Sequence, residues 1–300
     1  MSTQGFDQLI SRLERLLDRV EAHFPVVGGD ADLDTAIAFR WRSGTAGGHL
    51  QAVHHPHRIR LEDLRSVDRQ KRLLQRNTLQ FVRGAPANNA LLWGSRGTGK
   101  SSLVKALLNE YAAQGLRVIE VDKDDLHDLS AIVDRLHGRR ERYLIFSDDL
   151  SFAPGDASYR SLKAILDGSV EAPPENVLIY ATSNRRHLIP EYMSENLDAQ
   201  HVEGEIHQSE AVEEKISLSE RFGIWLSFYP FKQAEYLGIV EHWLLTMGSD
   251  VDADSGLDEK TRAAALKWAL SRGSRSGRSA YQFARDWSGR QGIQDIGDDA

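Results

Sequence analysis

The sequence contains no cysteine. That excludes disulfides, thiolate metal sites and cysteine nucleophiles among these 300 residues. No apolar run is long enough to span a bilayer, and the first residues lack the apolar core of a secretory signal. The expectation is a cytoplasmic chain without a membrane span. A surplus of positive charge is also missing. Lys and Arg number 37 against 44 Asp and Glu, for a net charge of −7. A broad electrostatic grip on nucleic acid is therefore not implied, although a local basic patch is compatible with these totals. No internal repeat is visible. Residues 191–214 hold no Lys or Arg, but they carry Glu191, Glu195, Asp198, Glu203, Glu205, Glu210, Glu213 and Glu214. Such a run is either a solvated insertion or a loop that meets a partner.

What is present begins with an ordinary globular balance, 27% charged and 41% hydrophobic, in a chain long enough for one large domain or two. The stretch that organises it is Gly94-Ser95-Arg96-Gly97-Thr98-Gly99-Lys100-Ser101, followed by Ser102. It reads G-x-x-x-x-G-K-[ST]. The apolar run Ala90-Leu91-Leu92-Trp93 leads in, and Leu103, Val104, Leu107, Leu108 and Tyr111 lead out at helical spacing. The glycines therefore sit on a strand-to-helix turn, which is the context that a phosphate-binding loop needs. Glycine lets the backbone fold tightly and turn its N–H groups inward around phosphate oxygens, and the helix start adds its positive end. Lys100 is the point charge for the β- and γ-phosphates, and the Ser101 hydroxyl is the ligand for Mg²⁺. At average glycine usage a chance match in a chain of this length has odds on the order of one per cent. The ligand expected is ATP with Mg²⁺.

Taken in order, residues 6–20 carry an amphipathic helical pattern, and a glycine-rich break spans 43–48. His49, His54, His55 and His57 follow, read as a polar connecting loop because neither the spacing nor the neighbours suit a metal. Residues 61–83 read as a helix. Strands are expected at 90–93, 116–121, 143–146, 177–180 and 224–228, with helices at 126–136 and 161–166 between them. Alternation of this kind predicts a parallel sheet covered on both faces. After Pro230 only helices are expected, at 233–247, 258–271 and 280–287. The organisation read from this is an N-terminal helical extension and linker (1–60), an α/β ATP-binding core (61–231), a helical lid (232–290) and an acidic tail (291–300).

A phosphate loop alone does not separate kinases, GTPases and motors. Further residues do. The third strand ends in Phe146-Ser147-Asp148-Asp149. Asp148 is expected to hold Mg²⁺, largely through water, and Asp149 stands where a water-polarising carboxylate belongs. The fourth strand runs into Asn184, a polar tip that can touch the γ-phosphate. Arg221, just before the fifth strand, points out of its own subunit towards the nucleotide of the next, as an arginine finger does. Arg278 opens a helix that can fold over the phosphates, with Arg272 and Arg275 as rivals for that role. Each arginine taken singly is also readable as a surface charge.

In this order the motifs resemble those of the AAA+ ATPases, over roughly residues 61–287. Residues 218–228 look like the arginine-finger box of bacterial Holliday-junction branch-migration motors. Taken whole, the chain is similar to a bacterial AAA+ family known only as a domain of unknown function. The carriers are Asp68-Arg69-Gln70-Lys71, Asn88-Asn89-Ala90-Leu91-Leu92, the phosphate loop with its helix, Asp148-Asp149-Leu150-Ser151-Phe152, and Trp225 to Phe231. The resemblance implies a five-stranded parallel core, a helical lid and residues 64–68 near the adenine. It also implies a homo-oligomeric ring, most often of six, whose client is a protein or a nucleic acid.

Two positions depart from the pattern. AAA+ proteins usually carry Glu where this chain has Asp149, and a methylene less withdraws the carboxylate by over an ångström, a displacement that can cost about a hundredfold in rate. Unfoldases of the class thread clients with an aromatic pore loop, whereas residues 122–127 contain no aromatic. The reading is an ATPase that remodels a complex. The alternatives are a slow ATP-dependent assembly switch and a small-molecule P-loop kinase.

Overall fold

A computed structural model of the chain describes residues 33–44, 47–152, 156–168, 174–184, 218–249 and 256–291, plus the backbone of β7 and β8 below. The amphipathic run at 6–20, most of the acidic stretch and the acidic tail lie outside these residues.

Strands β1 (Ala38–Arg42), β2 (His49–Ala52), β3 (Ala90–Gly94), β4 (Leu116–Glu120), β5 (Arg142–Ser147), β6 (Val177–Ser183) and β9 (Ile224–Phe228) form one sheet. A separate antiparallel pair joins β7 (His201–Val202) to β8 (Glu205–Ile206). The order across the main sheet is β2-β1-β4-β5-β6-β3-β9. The five strands expected from the sequence are all there and all parallel, with β3 between β6 and β9. Their apolar runs are buried because helices cover both faces, which is why the pattern reads as continuous rather than alternating.

The sheet is wider than the sequence suggests. β1 pairs parallel with β4, and β2 pairs antiparallel with β1. Both lie in the segment read as extension and linker. Phe39 and Trp41 are fully buried, each contributing about 2–3 kcal/mol of apolar burial. The Trp41 indole donates to Asp128 at 3.0 Å, and the Arg135 guanidinium lies 4.8 Å from its ring centroid. Ser43 donates to Asp125 at 2.7 Å. These contacts fasten the short 3-10 helix Lys123–Asp128 to the added strands.

One face of the sheet carries α1 (Asp68–Val82) and α2 (Lys100–Tyr111), and the other carries α3 (Leu129–Leu136) and α4 (Ala157–Asp167). Helix α1 is docked by a buried polar cluster. Asn77 and Thr78 both bond the Tyr180 hydroxyl at 2.9 Å, and burial pushes that phenol up to about 12. Helices α5 (Gln233–Thr246), α6 (Glu259–Ser271) and α7 (Gly277–Gln291) complete the chain, with α7 packed chiefly on α5. No helix among the described residues is long and apolar enough to cross a membrane.

Candidate nucleotide-binding site

The loop between β3 and α2 is built on two close approaches. Gly94 has φ +125°, and a Cβ there would lie 2.0 Å from the Phe228 carbonyl oxygen. That same oxygen accepts from the Ser95 amide at 2.9 Å. Gly97 has φ +73°, and a Cβ would come within 2.9 Å of Ser276. Its carbonyl accepts from the Gly277 amide at 2.8 Å, so the C-terminal helices touch the loop directly. Only glycine allows both contacts, since side chains strain at positive φ and have no space here.

Lys100 begins α2 and is 6% exposed. Its ammonium donates to the carbonyls of Gly94 and Ser95, each at 2.8 Å, and to Asn184 Oδ1 at 3.2 Å. Burial draws its pKa below the ordinary lysine value, while the carboxylates of Asp148 and Asp149 pull the other way. A polyphosphate would supply the counter-charge that the loop carbonyls lack.

The two carboxylates leave the end of β5 in different directions. Asp148 Oδ1 accepts from Ser101 Oγ at 2.6 Å and from Thr182 Oγ1 at 2.5 Å. Asp149 is held at φ +55°, rare for a non-glycine residue. Its amide donates to Thr182 Oγ1 at 2.9 Å, its carboxylate accepts from Asn184 Nδ2, and Arg96 lies 3.9 Å away. Leu150 continues the stapling, with its amide on the Thr182 carbonyl at 2.7 Å and its carbonyl on Ser183 Oγ at 2.8 Å. Thr182 thus sets both acids by one hydroxyl. The sequence reading passed over it. A polar residue two before the strand tip was the available signal.

For the ATP hydrolysis proposed below, the expected outcome of Thr182→Val, which keeps the shape and removes the bridge, is a roughly 10–100-fold lower turnover at similar ATP affinity. That is the usual penalty for losing a group that orients metal-holding or catalytic side chains. Steady-state phosphate release checks it.

These residues open onto one cavity of about 900 Å³. Its floor includes Arg96, Gly97, Thr98, Gly99, Lys100, Ser101, Ser102, Asp148, Asp149, Thr182 and Asn184. Gly94 and Ser95 contribute the carbonyls behind Lys100. Ile59, Leu64 and Val67 from the core, with Ile239, Trp243 and Tyr281 from the lid, form an apolar end. Trp243 and Tyr281 pack edge-on at 4.8 Å. The volume, with a polar, charged floor at one end and apolar side chains at the other, suits a ligand that joins a polyphosphate to a flat base.

Two ties hold the walls together. Asn109 donates to the carbonyls of His57 and Ile59 at 2.8 and 2.7 Å, fixing the strap before Leu64 onto α2. His242 of the lid bonds Asp63 at 3.2 Å and Arg65 at 3.3 Å. Of the candidates Arg272, Arg275 and Arg278, Arg278 lines the cavity, and Arg272 instead lies 4.9 Å over the Trp268 ring. Arg278 lies within a reciprocal cap in which Ser276 and Ser279 exchange amide-to-hydroxyl bonds at 3.1 Å.

A hard cation would find oxygen donors in Ser101 and Asp148. Among the described residues no group of three or more His, Cys, Asp or Glu could hold a metal. A metal here would have to complete its shell with phosphate and water, as Mg²⁺ does.

Arg221 is elsewhere. It does not line the cavity of its own chain. Its Nε donates to Asp167, on the opposite face of the sheet from the cavity helix α2.

The chain matches, over residues 34–291, the family described as Protein of unknown function (DUF815). It belongs to that family. No curated protein matches it. The Thermotoga maritima RuvB Holliday junction branch migration motor is similar in structure, with a TM-score of 0.53 and 17% identity over 80% of this chain and 68% of that one. The Aeropyrum pernix Orc1 protein in complex with DNA gives a TM-score of 0.52 and 18% identity over 76% and 61%. At these identities the likeness is one of fold, so this DUF815 chain has an AAA+-like α/β core with C-terminal helices.

Proposed function

We propose that the protein is an AAA+ ATPase that binds Mg-ATP between core and lid and hydrolyses it at the interfaces of a ring, most simply a hexamer, to remodel a protein or nucleic-acid complex. One observation carries the reading. Lys100, Ser101, Asp148, Asp149 and Asn184, from three different strand ends, converge on one cavity, whereas Arg221 stays outside it. In this reading the loop amides and Lys100 bind the phosphates, Ser101 and Asp148 hold Mg²⁺, and the lid closes over the base with Arg278 near the phosphates. Bound Mg²⁺ neutralises phosphate charge. Asp149 polarises the attacking water, and Asn184 orients Asp149 and the γ-phosphate together. Arg221 of a neighbour completes the site.

Asp149→Asn tests the assignment. Retained ATP binding with phosphate release reduced about 10²–10⁴-fold is the expected outcome, the usual share of a general base. Hydrolysis at the parental rate would place water activation elsewhere. A second reading, an assembly switch with little turnover, draws support from Asp149 itself. Its side chain is short, its backbone is in a sparsely populated conformation, and its carboxylate is engaged by Asn184. A parental protein that assembles with ATP and releases no phosphate would favour the switch.

A further inference from the structure

The Arg221–Asp167 ion pair joins residues 54 positions apart, on two elements with no other stated role in the site. The Arg221 and Phe222 amides donate to the Leu218 and Ser219 carbonyls at 3.3 and 3.1 Å. Leu218 and Phe222 on either side are buried, and the Trp225 indole donates to the Ser219 carbonyl at 2.7 Å. The side chain is only 23% exposed and its Nε is engaged by Asp167, which is 41% exposed. Asp167 is the last residue of α4, with Gly168 after it at φ 76°. A carboxylate at that end faces the negative pole of the helix and is unfavourable there unless a cation accompanies it. Arg221 is that cation.

We propose that Asp167 is a positioning residue that pre-orders the Arg221 guanidinium for the nucleotide of a neighbouring subunit. The inference rests on the trans-arginine reading above. An arginine loses about 2 kcal/mol of rotamer freedom when it is fixed in one geometry. A counter-ion that holds Nε before the neighbour arrives removes much of that loss from the catalytic step. The rate equivalent of the whole loss is roughly 30-fold, which bounds the effect.

The test is a double-mutant cycle on the full chain, with Asp167→Ala and Arg221→Ala singly and together. Asp167→Ala is expected to lower kcat about 5–30-fold with less than about a twofold change in KM for ATP. Asp167→Glu should restore part of the rate. In the Arg221→Ala background the same substitution should cost nothing further, because Asp167 acts only through the arginine. A readout independent of turnover is phenylglyoxal modification of Arg221 in nucleotide-free protein, followed by mass spectrometry. It should speed up several-fold in Asp167→Ala, while melting shifts by no more than about a few degrees, as loss of a half-exposed pair implies.

A parental rate in Asp167→Ala alongside a slow Arg221→Ala overturns this inference and leaves the trans-arginine reading intact. A rate increase in Asp167→Ala also overturns it, since Asp167 would then be a restraint. So does an equal loss in the Arg221→Ala background, which would mark a structural effect. A parental rate in Arg221→Ala removes the trans-arginine reading itself, and the role of Asp167 with it.

Discussion

Arg221→Ala is expected to bind ATP almost normally and to hydrolyse it about 10³–10⁵-fold more slowly, the range that arginine fingers supply in NTPases that use them. The binding half follows from position, because Arg221 does not line the cavity that would hold the nucleotide of its own chain. The rate half follows from chemistry. A guanidinium offers planar, permanently charged donors to the oxygens on which charge spreads in phosphoryl transfer. Arg221→Lys is expected to recover little, since a lysine cannot keep the Nε bond to Asp167 and reach a phosphate as well. Nucleotide affinity by calorimetry and phosphate release by a coupled assay separate the two halves. Weakened ATP binding in folded Arg221→Ala would mean that the residue serves its own subunit.

Lys100→Ala is expected to lower ATP affinity about 100-fold or more while the fold persists. The lysine is buried, and its three acceptors, the Gly94 and Ser95 carbonyls and Asn184, stand at the floor of an open cavity. Once it is gone, water can reach those acceptors, so the folded state loses little. The phosphates lose a charge-assisted partner in a partly desolvated place. Removing one partner of such a pair costs about 3–5 kcal/mol, which is roughly two to three and a half orders of magnitude in affinity. Circular dichroism establishes the fold and calorimetry the affinity. Unchanged affinity in folded Lys100→Ala would detach the loop from phosphate binding altogether.

The parts of this architecture legible in the sequence are those with local signatures. The phosphate loop fixes its own strand, turn and helix, because its glycines have meaning only there. Asp148 and Asp149 were readable because a buried strand, β5, ends at them. Asn184 was readable from its place just past the end of β6. The added strands were not. β1 and β2 are five and four residues long; Phe39 and Trp41 do alternate with Arg40 and Arg42, but a run this short beside a glycine-rich break reads equally as linker. Their stability comes from Trp41 and its partners Asp128 and Arg135, contacts that only the tertiary fold creates. Thr182 was hidden for a related reason. A threonine in a β-strand is ordinary, and its function as a bridge appears only when β5 and β6 lie side by side. The Asp63–His242 tie spans 179 positions, and no periodicity reports such a pairing. Among the lid arginines, spacing could not choose. Arg278 lines the cavity, while Arg272 covers an indole.

The central claim is that one subunit binds ATP and the next completes its site. Mixing Lys100→Ala with Arg221→Ala tests it most directly. The first keeps its arginine but leaves its own site empty at ATP concentrations well below its weakened affinity, and the second binds ATP but presents no arginine. A mixed assembly contains interfaces where an intact phosphate loop meets an intact Arg221, and neither parent alone has one. Phosphate release is measured across mixing ratios under conditions of subunit exchange, with mixed assemblies verified by native mass spectrometry. The account predicts activity that is near zero at both ends and rises to a maximum between them. A flat, inactive profile with mixed assemblies present would contradict it.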